Sequence, residues 1–359
     1  MQARVILGVV LGAALGACAA AQTYTVSDLG VLRGDNESNA FAINSSGEVV
    51  GCSDTANAQG YPCTGTGPGQ HAFLWTKSGG LQDLGTLSGG NISGALGIND
   101  LEQVVGYSNS KGVTGTNFHA FSWTASGGMS DLGVLSGGVS SAAFQVNTNG
   151  EAAGDSFING GKVNATYWTN GKIRNLGSLP GSVFTAGLGI NDNGEIVGES
   201  VFSYGPPFLS HAFDYTSGTG MTDLGTLTGG TSSMANAINS VGVIVGQSNS
   251  TAFLTEWHAV MWNTSKKISD LRTLPGGTYS VAFGINSSSV VVGYGNIANN
   301  AARAFVWTSK NGMQDLNSLI PAGTAWVLIN ANAINDAGQI VGYGTRSGHN
   351  HAFLLTPVN

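Results

Sequence analysis

The chain repeats itself seven times. The triplet Asp-Leu-Gly, or a near variant, begins at Asp28, Asp83, Asp131, Asn175, Asp223, Asp270 and Asp315. Between these triplets fall aliphatic-Asn pairs at Ile43-Asn44, Ile98-Asn99, Val146-Asn147, Ile190-Asn191, Ile238-Asn239, Ile285-Asn286 and Ile334-Asn335, which recur every 44 to 55 residues. A fixed period in that range marks a repeat architecture, in which each unit is one supersecondary element that buries its faces only against its neighbours.

Each unit reads as four short strands. In the second, Ser93 to Asn99 is small and apolar (strand A), and Gln103 to Ser108 is β-branched (B). His119 to Thr124 is rich in aromatics (C), and Gly128 to Leu135 completes the set (D). Clusters of Gly, Ser and Asn separate them, as in an all-β repeat. The A–B turn reads Asn-x-x-Gly in five units, where Asn bonds its own backbone and Gly supplies a left-handed residue. Glu102 and Ser289 replace that Gly in the other two, which predicts strain or another turn type there. The 56 glycines among 359 residues follow no Gly-X-Y period and argue for many tight turns. Long helices are excluded, because Gly is costly in a helix and no 3.6-residue apolar period is sustained after residue 22.

Four-stranded units of this length are the blades of a β-propeller. The last unit stops after its C strand, His351 to Leu355, and Tyr24 to Leu32 is an orphan D strand. The expectation is an all-β, seven-bladed propeller over residues 22–359, closed by the N-terminal strand pairing with the last blade, with an open β-solenoid as the rival.

Residues 1–21 form the layout of a secretory signal peptide: Arg4, an apolar run from Val5 to Ala17, then small residues. Ordinary cleavage releases a soluble protein from about Gln22. Leu15-Gly16-Ala17-Cys18 also matches a bacterial lipobox, in which Cys18 carries the lipid. No later segment reads as a membrane helix. Cys52 and Cys63 bracket the insertion Ser53 to Pro62, and in an exported chain the default is a disulfide closing it. The net charge of −7, with no basic cluster beyond Lys266-Lys267, disfavours nucleic acid and anionic lipid as partners.

His71-Ala72-Phe73-Leu74-Trp75-Thr76, the repeated Asp-Leu-Gly-Thr-Leu at Asp83 and Asp223, and Ile334-Asn335-Asp336-Ala337-Gly338-Gln339-Ile340-Val341-Gly342 together resemble the HAF family of bacterial extracellular repeat proteins. The His-Ala-Phe triplet stands at His71, His119, His211 and His351, is altered at His258 and Arg303, and is lost at Asn164. The resemblance covers the mature chain. It implies export from a bacterium, to the medium or the outer surface, and it carries no activity or functional residue with it.

Residues used identically in every unit are scaffold. The strand-C histidines lie one per unit, too far apart to converge on a metal, so a bond across their own unit is expected, with no metal site and no cofactor. The Asp of Asp-Leu-Gly is assigned to backbone amides near the end of strand D, and Trp75, Trp123, Trp168, Tyr215, Trp262 and Trp307 to the core. Function belongs where the repeats disagree. Alternating strands put the A–B and C–D turns on one face and the variable B–C and D–A loops on the other. Those loops carry Tyr61, Phe118, Tyr204, Phe208, Glu256 and Trp257, aromatics and polar groups suited to a glycan or a peptide or protein at the cell surface. The residue after the Val-Val-Gly motif also varies, and Asp155 and Glu199 occupy it in adjacent units. Three readings follow: a non-enzymatic binding or scaffold protein using this face; a polysaccharide-active, glycosidase-like enzyme using Asp155 and Glu199; and a purely structural surface protein. The enzyme predicts the two carboxyls close together in a concave pocket. The binding module predicts an exposed aromatic shelf with no perturbed carboxylate. Oligomeric state is left open.

Overall fold

Each repeat folds because strand B carries two buried aliphatics followed by a glycine that lets strand A pass close by. In all seven units that glycine (Gly51, Gly106, Gly154, Gly198, Gly246, Gly293, Gly342) has room for nothing else: an added Cβ would sit 1.9 Å from a strand-A carbonyl oxygen. The crossing is matched by a β-bulge in every strand A, between Ala40 and Ala42 in the first unit and Ala331 and Ala333 in the last.

The computed structural model describes residues 22–54, 69–110, 117–158, 160–205, 208–250 and 256–358. Within them are 28 strands and one 3₁₀ turn, Leu316–Ser318. The strands form antiparallel four-stranded sheets in sequence order, A to D. The third unit (Gly138–Val146, Ala152–Ile158, Lys162–Thr169, Lys172–Asn175) and the fourth (Phe184–Ile190, Ile196–Ser203, Leu209–Thr216, Gly220–Asp223) are joined into one eight-stranded sheet by a single parallel bridge, Val163 to Phe184. The sheet that ends the chain takes its fourth strand from the other terminus. Thr23–Gly30 pairs antiparallel with His349–Val358, with Thr23 opposite Val358 and Asp28 opposite Phe353.

Apolar side chains pack between successive sheets rather than within one. Val197 of the fourth unit clusters with Ala235, Ile238 and Ile244 of the fifth. Leu29 of the N-terminal strand, Val341 and Leu354 cluster with Ala40, Val49 and Phe73 of the first unit. Phe73, Phe121, Phe213, Phe305 and Phe353 are fully buried, whereas the neighbouring aromatic position is mixed: Trp123, Trp168 and Trp262 are buried, and Trp75, Tyr215 and Trp307 only partly so.

The aliphatic-Asn pair does two jobs. Its Oδ1 caps its own turn, as where the Val243 amide donates to Asn239 at 2.9 Å. Its Nδ2 donates to the backbone carbonyl of the equivalent Asn in the next unit: Asn44 to Asn99, then to Asn147, Asn191, Asn239, Asn286 and Asn335, and from Asn335 back to Asn44 at 3.0 Å. These residues line a cavity of about 240 Å³. The bulged strand-A residues, among them Phe41, Leu96, Phe144, Leu188 and Phe283, line a second of about 190 Å³.

Glu102 and Ser289 keep the turn geometry of the glycines they replace. Their φ angles are +58° and +59°, and their amides donate to Asn99 and Asn286 as the glycine amides do elsewhere. Of the two alternatives expected, strain is the one found: the Asn cap keeps the loop, and left-handed residues carry the cost.

Candidate functional site

Repeated residues behave as scaffold. The Asp-Leu-Gly carboxylates accept the amide two residues on, at 2.7 Å for Asp83, Asp131 and Asp223. The strand-C histidine meets the same carboxylate: His71–Asp83 at 2.9 Å, His119–Asp131 at 2.8 Å, His211–Asp223 at 2.6 Å, His258–Asp270 at 3.0 Å, and His351 with Asp28 of the N-terminal strand at 3.0 Å. Where arginine replaces histidine the pair persists, Arg303–Asp315 at 3.9 Å. Burial raises the carboxyl of Asp28, yet the Gly30 amide, His351 and Arg346 outweigh it and hold the group below its ordinary range.

The variable residues lie at the end of strands A and B away from the Asn turns, beside the strand-C histidines. The position after the strand-B glycine packs against strand A. Tyr107 rests on Gly94, accepts from Gln70 at 2.7 Å and meets Phe118 edge-on at 5.1 Å. Burial pushes its hydroxyl up to about 12. Tyr294 stacks on Phe283 at 5.7 Å. In units three and four the same position holds Asp155 and Glu199. They are 7% and 6% exposed, and burial pushes both carboxyls up to about 7, against a weaker opposing effect of the Ala142 backbone on Asp155 and of Ser210 on Glu199. Glu199 Oε1 is buried with no hydrogen-bond partner.

These carboxyls are not a facing pair. Asp155 shares a strand face with Ala153, which packs on Ile190, Ile196 and Phe213 of unit four. Glu199 shares a face with Val197, which packs on unit five. They flank unit four from opposite sides, and the Tyr204 hydroxyl, raised first by burial, senses both charges.

Two residues beyond the variable position the same units depart again. In units two, five and six an Asn braces the D–A loop, with Asp54 and Thr345 at that position in units one and seven: Asn109 Oδ1 accepts the amides of Asn91 and Ile92, Asn249 those of Thr231 and Ser232, and Asn296 those of Thr278 and Tyr279. Units three and four carry Phe157 and Val201 instead, and the facing D–A residues, polar at Asn36, Asn91, Thr231 and Thr278, become Val139 and Val183. Phe157, Val139, Val183 and Tyr204 are 43%, 51%, 42% and 65% exposed. They are contiguous: Phe157 pairs with Ser140 and Val163, Val163 bridges to Phe184, the Val183 amide donates to Val201, and Phe184 meets Tyr204 edge-on at 6.4 Å.

The other residues expected to bind are dispersed. Phe118 is half-buried against Tyr107 in unit two, Phe208 is half-buried in unit four, and in unit five Glu256 is exposed and Trp257 half-buried. Tyr61, Cys63, Cys18 and the whole of residues 1–21 lie outside the described residues, and Cys52 is fully buried. Among the described residues no group of three or more His, Cys, Asp or Glu is placed to hold a metal, and no helix is long and apolar enough to cross a membrane. Phe157, Val139 and Val183 were missed because each is unremarked alone. Aligning the units column by column exposes them, since only units three and four are apolar at both positions; unit seven has Val327 at the D–A position but Thr345 facing it.

No protein-family model and no curated protein matches the chain. Solved structures do. YCF48 bound to D1 peptide aligns over 94% of this chain and 96% of its own, with TM-score 0.53 and 10% identity. A puromycin-hydrolysing peptidase of Mycobacterium tuberculosis aligns over 85% of this chain and 48% of its own, with TM-score 0.54 and 12% identity. The extracellular domain of the hybrid two-component system BT4673 of B. thetaiotaomicron aligns over 94% of this chain and 40% of its own, with TM-score 0.51 and 9% identity. The chain thus spans about half or less of the peptidase and of the BT4673 domain. At these identities the likeness is one of fold, and the fold, repeated four-stranded antiparallel sheets with almost no helix, is that of a β-propeller.

Proposed function

We propose that this is a seven-bladed, closed β-propeller exported by a bacterium, a member of the HAF-type repeat proteins, and that it acts as a non-enzymatic binding module at or outside the cell surface. The blade count is supported by seven A–B–C–D sets and by a circle of seven Asn-to-carbonyl bonds that returns to its start. Binding uses the face of the B–C and D–A loops. One observation carries this: blades three and four alone break the repeat at three spatially adjacent positions together, gaining Asp155 and Glu199, Phe157 and Val201, and Val139 and Val183. Contiguous exposed apolar side chains on one face of a rigid scaffold mark an interaction surface. YCF48 is a propeller-like neighbour that binds a peptide, which favours a peptide ligand over a glycan here.

The glycosidase-like reading draws support from the raised carboxyls of Asp155 and Glu199, since a general acid needs such a value. Their separation by blade four argues against it. The expected test of a binding module, an aromatic shelf free of perturbed carboxylates, is also only half met, because the shelf and the perturbed acids coincide. Peptide and glycan arrays probed with the wild type and with Phe157→Ser/Tyr204→Ala decide between them. Retention that the double variant loses supports the binding surface. Hydrolysis of a bound glycan that Asp155→Asn abolishes overturns it in favour of the enzyme.

Export is tested by mass spectrometry of the native protein: a start near Gln22 identifies ordinary cleavage, a lipidated Cys18 the anchored form, and a mass two protons below the reduced chain the Cys52–Cys63 bridge.

A further inference from the structure

The apolar strip on blades three and four lies over two acids that have no cation. Among the described residues neither Asp155 nor Glu199 forms an ion pair, although ten other pairs involving Lys, Arg or His are present. The side chains directly across the strands from them are alanines: Ala142 and Ala165 for Asp155, Ala186 and Ala212 for Glu199. Burying a carboxylate without a partner is unfavourable unless it stays protonated or meets a positive charge, and the unbonded Glu199 Oε1 is a free acceptor. Tyr204, exposed above both, offers a ring face to the same cation.

We infer that the ligand of this surface is an extended peptide segment in which a lysine or arginine is flanked two residues away on each side by an apolar residue, the cation reaching Asp155 or Glu199 while the apolar side chains on the same face cover Phe157, Val139 and Val183. This deepens the binding reading above and rests on it. The chemistry follows from three features together. An extended strand presents residues two apart to one face, so a cation and the apolar residues at i−2 and i+2 reach the surface together. The patch is apolar with acids at its base. Charge complementarity across an apolar contact then sets which partner is accepted. A neutral oligosaccharide would leave the two acids without a countercharge.

The probes are fluorescein-labelled, C-terminally amidated Leu-Ser-Lys-Ser-Leu and its uncharged counterpart Leu-Ser-Gln-Ser-Leu, titrated by fluorescence anisotropy at pH 8 with the full mature chain. The lysine peptide binds wild type at least tenfold more tightly than the glutamine peptide. That ratio falls below threefold in Asp155→Asn/Glu199→Gln, and both peptides weaken tenfold or more in Phe157→Ser/Tyr204→Ala. The peptide comparison on wild type is independent of whether any variant folds. Equal affinity for the two peptides, with both still lost in Phe157→Ser/Tyr204→Ala, overturns the cation inference and leaves the binding surface standing. An unchanged ratio in the carboxamide variant also overturns it. Failure of both peptides to bind overturns both readings.

Discussion

The circle of asparagines is the feature whose removal has the most calculable effect. Asn239 is 4% exposed and makes three side-chain bonds: it accepts the amides of Val241 at 3.2 Å and Val243 at 2.9 Å, and donates to the Asn286 carbonyl at 3.1 Å. Asn239→Ala removes all three. The Val241 amide belongs to a 59% exposed residue and regains water at little cost. The Val243 amide and the Asn286 carbonyl are deeper, and each loses about 1–2 kcal/mol when left unpaired. The predicted loss is therefore about 3 kcal/mol. Asn335→Ala makes the same cut at the join between the two ends of the chain, where Nδ2 donates to the Asn44 carbonyl and Oδ1 accepts the Gln339 amide, both at 3.0 Å. Its loss should agree with that of Asn239→Ala to within about 1 kcal/mol. Equilibrium urea unfolding followed by tryptophan fluorescence measures both, provided the slope with denaturant is unchanged. Exposed Asn311→Ala is the control, expected within about 0.5 kcal/mol of wild type. A loss below 1 kcal/mol at Asn239, or a join that yields far more cheaply than the interior, would refute the view that these bonds form one mechanical circle.

Other outcomes follow from single sites. Asp155 and Glu199 bind a proton more tightly folded than unfolded, so wild-type stability falls as pH rises from about 4 to about 7 and is level above that. Asp155→Asn and Glu199→Gln each remove their own share of this dependence and together abolish it; relative to wild type each gains stability at pH 8, by up to about 4 and about 3 kcal/mol, and none below pH 4, read as the difference in urea midpoint across pH. Gly198→Ala forces a methyl to within 1.9 Å of the Ala186 carbonyl oxygen and should cost about 3 kcal/mol or prevent folding, visible as lost near-ultraviolet dichroism. Glu102→Gly and Ser289→Gly relieve left-handed side-chain strain and should each raise stability by about 0.5–1 kcal/mol, measured as a higher thermal midpoint.

The residues legible in the sequence were those with one local task. The Asp of Asp-Leu-Gly holds an amide two residues away, so Asp83 and its counterparts could be assigned from position alone. The strand-C histidines were assigned a bond across their own unit, and His71 finds Asp83 in the next strand. What escaped was whatever depends on packing between units. Nothing near Asn44 in the chain announces that its amide reaches Asn99, and the strand-B glycines reveal their steric necessity only when strand A is laid across them. Asp155 and Glu199 stand out in the sequence as variable residues, offered either as a carboxylate pair in a concave pocket or as part of the binding face, and neither reading foresees how deeply they are buried. Their burial comes from alanines on both neighbouring strands, a consequence of sheet register that the repeat period does not specify. Phe118, Trp257 and Glu256 share a face with Tyr204 in the sequence reading, yet they fall on different sheets.

Because Thr23–Gly30 pairs with His349–Val358, an early segment of the chain waits for one synthesised much later. The Gln22 side chain bonds the Val358 carbonyl across 336 residues of chain, a separation that makes this pairing among the slowest to form. Until then the molecule carries an unclaimed strand and an unzipped edge with matching registers. Two copies meeting in that interval can exchange strands, so concentrated refolding should produce strand-swapped dimers whose yield falls on dilution.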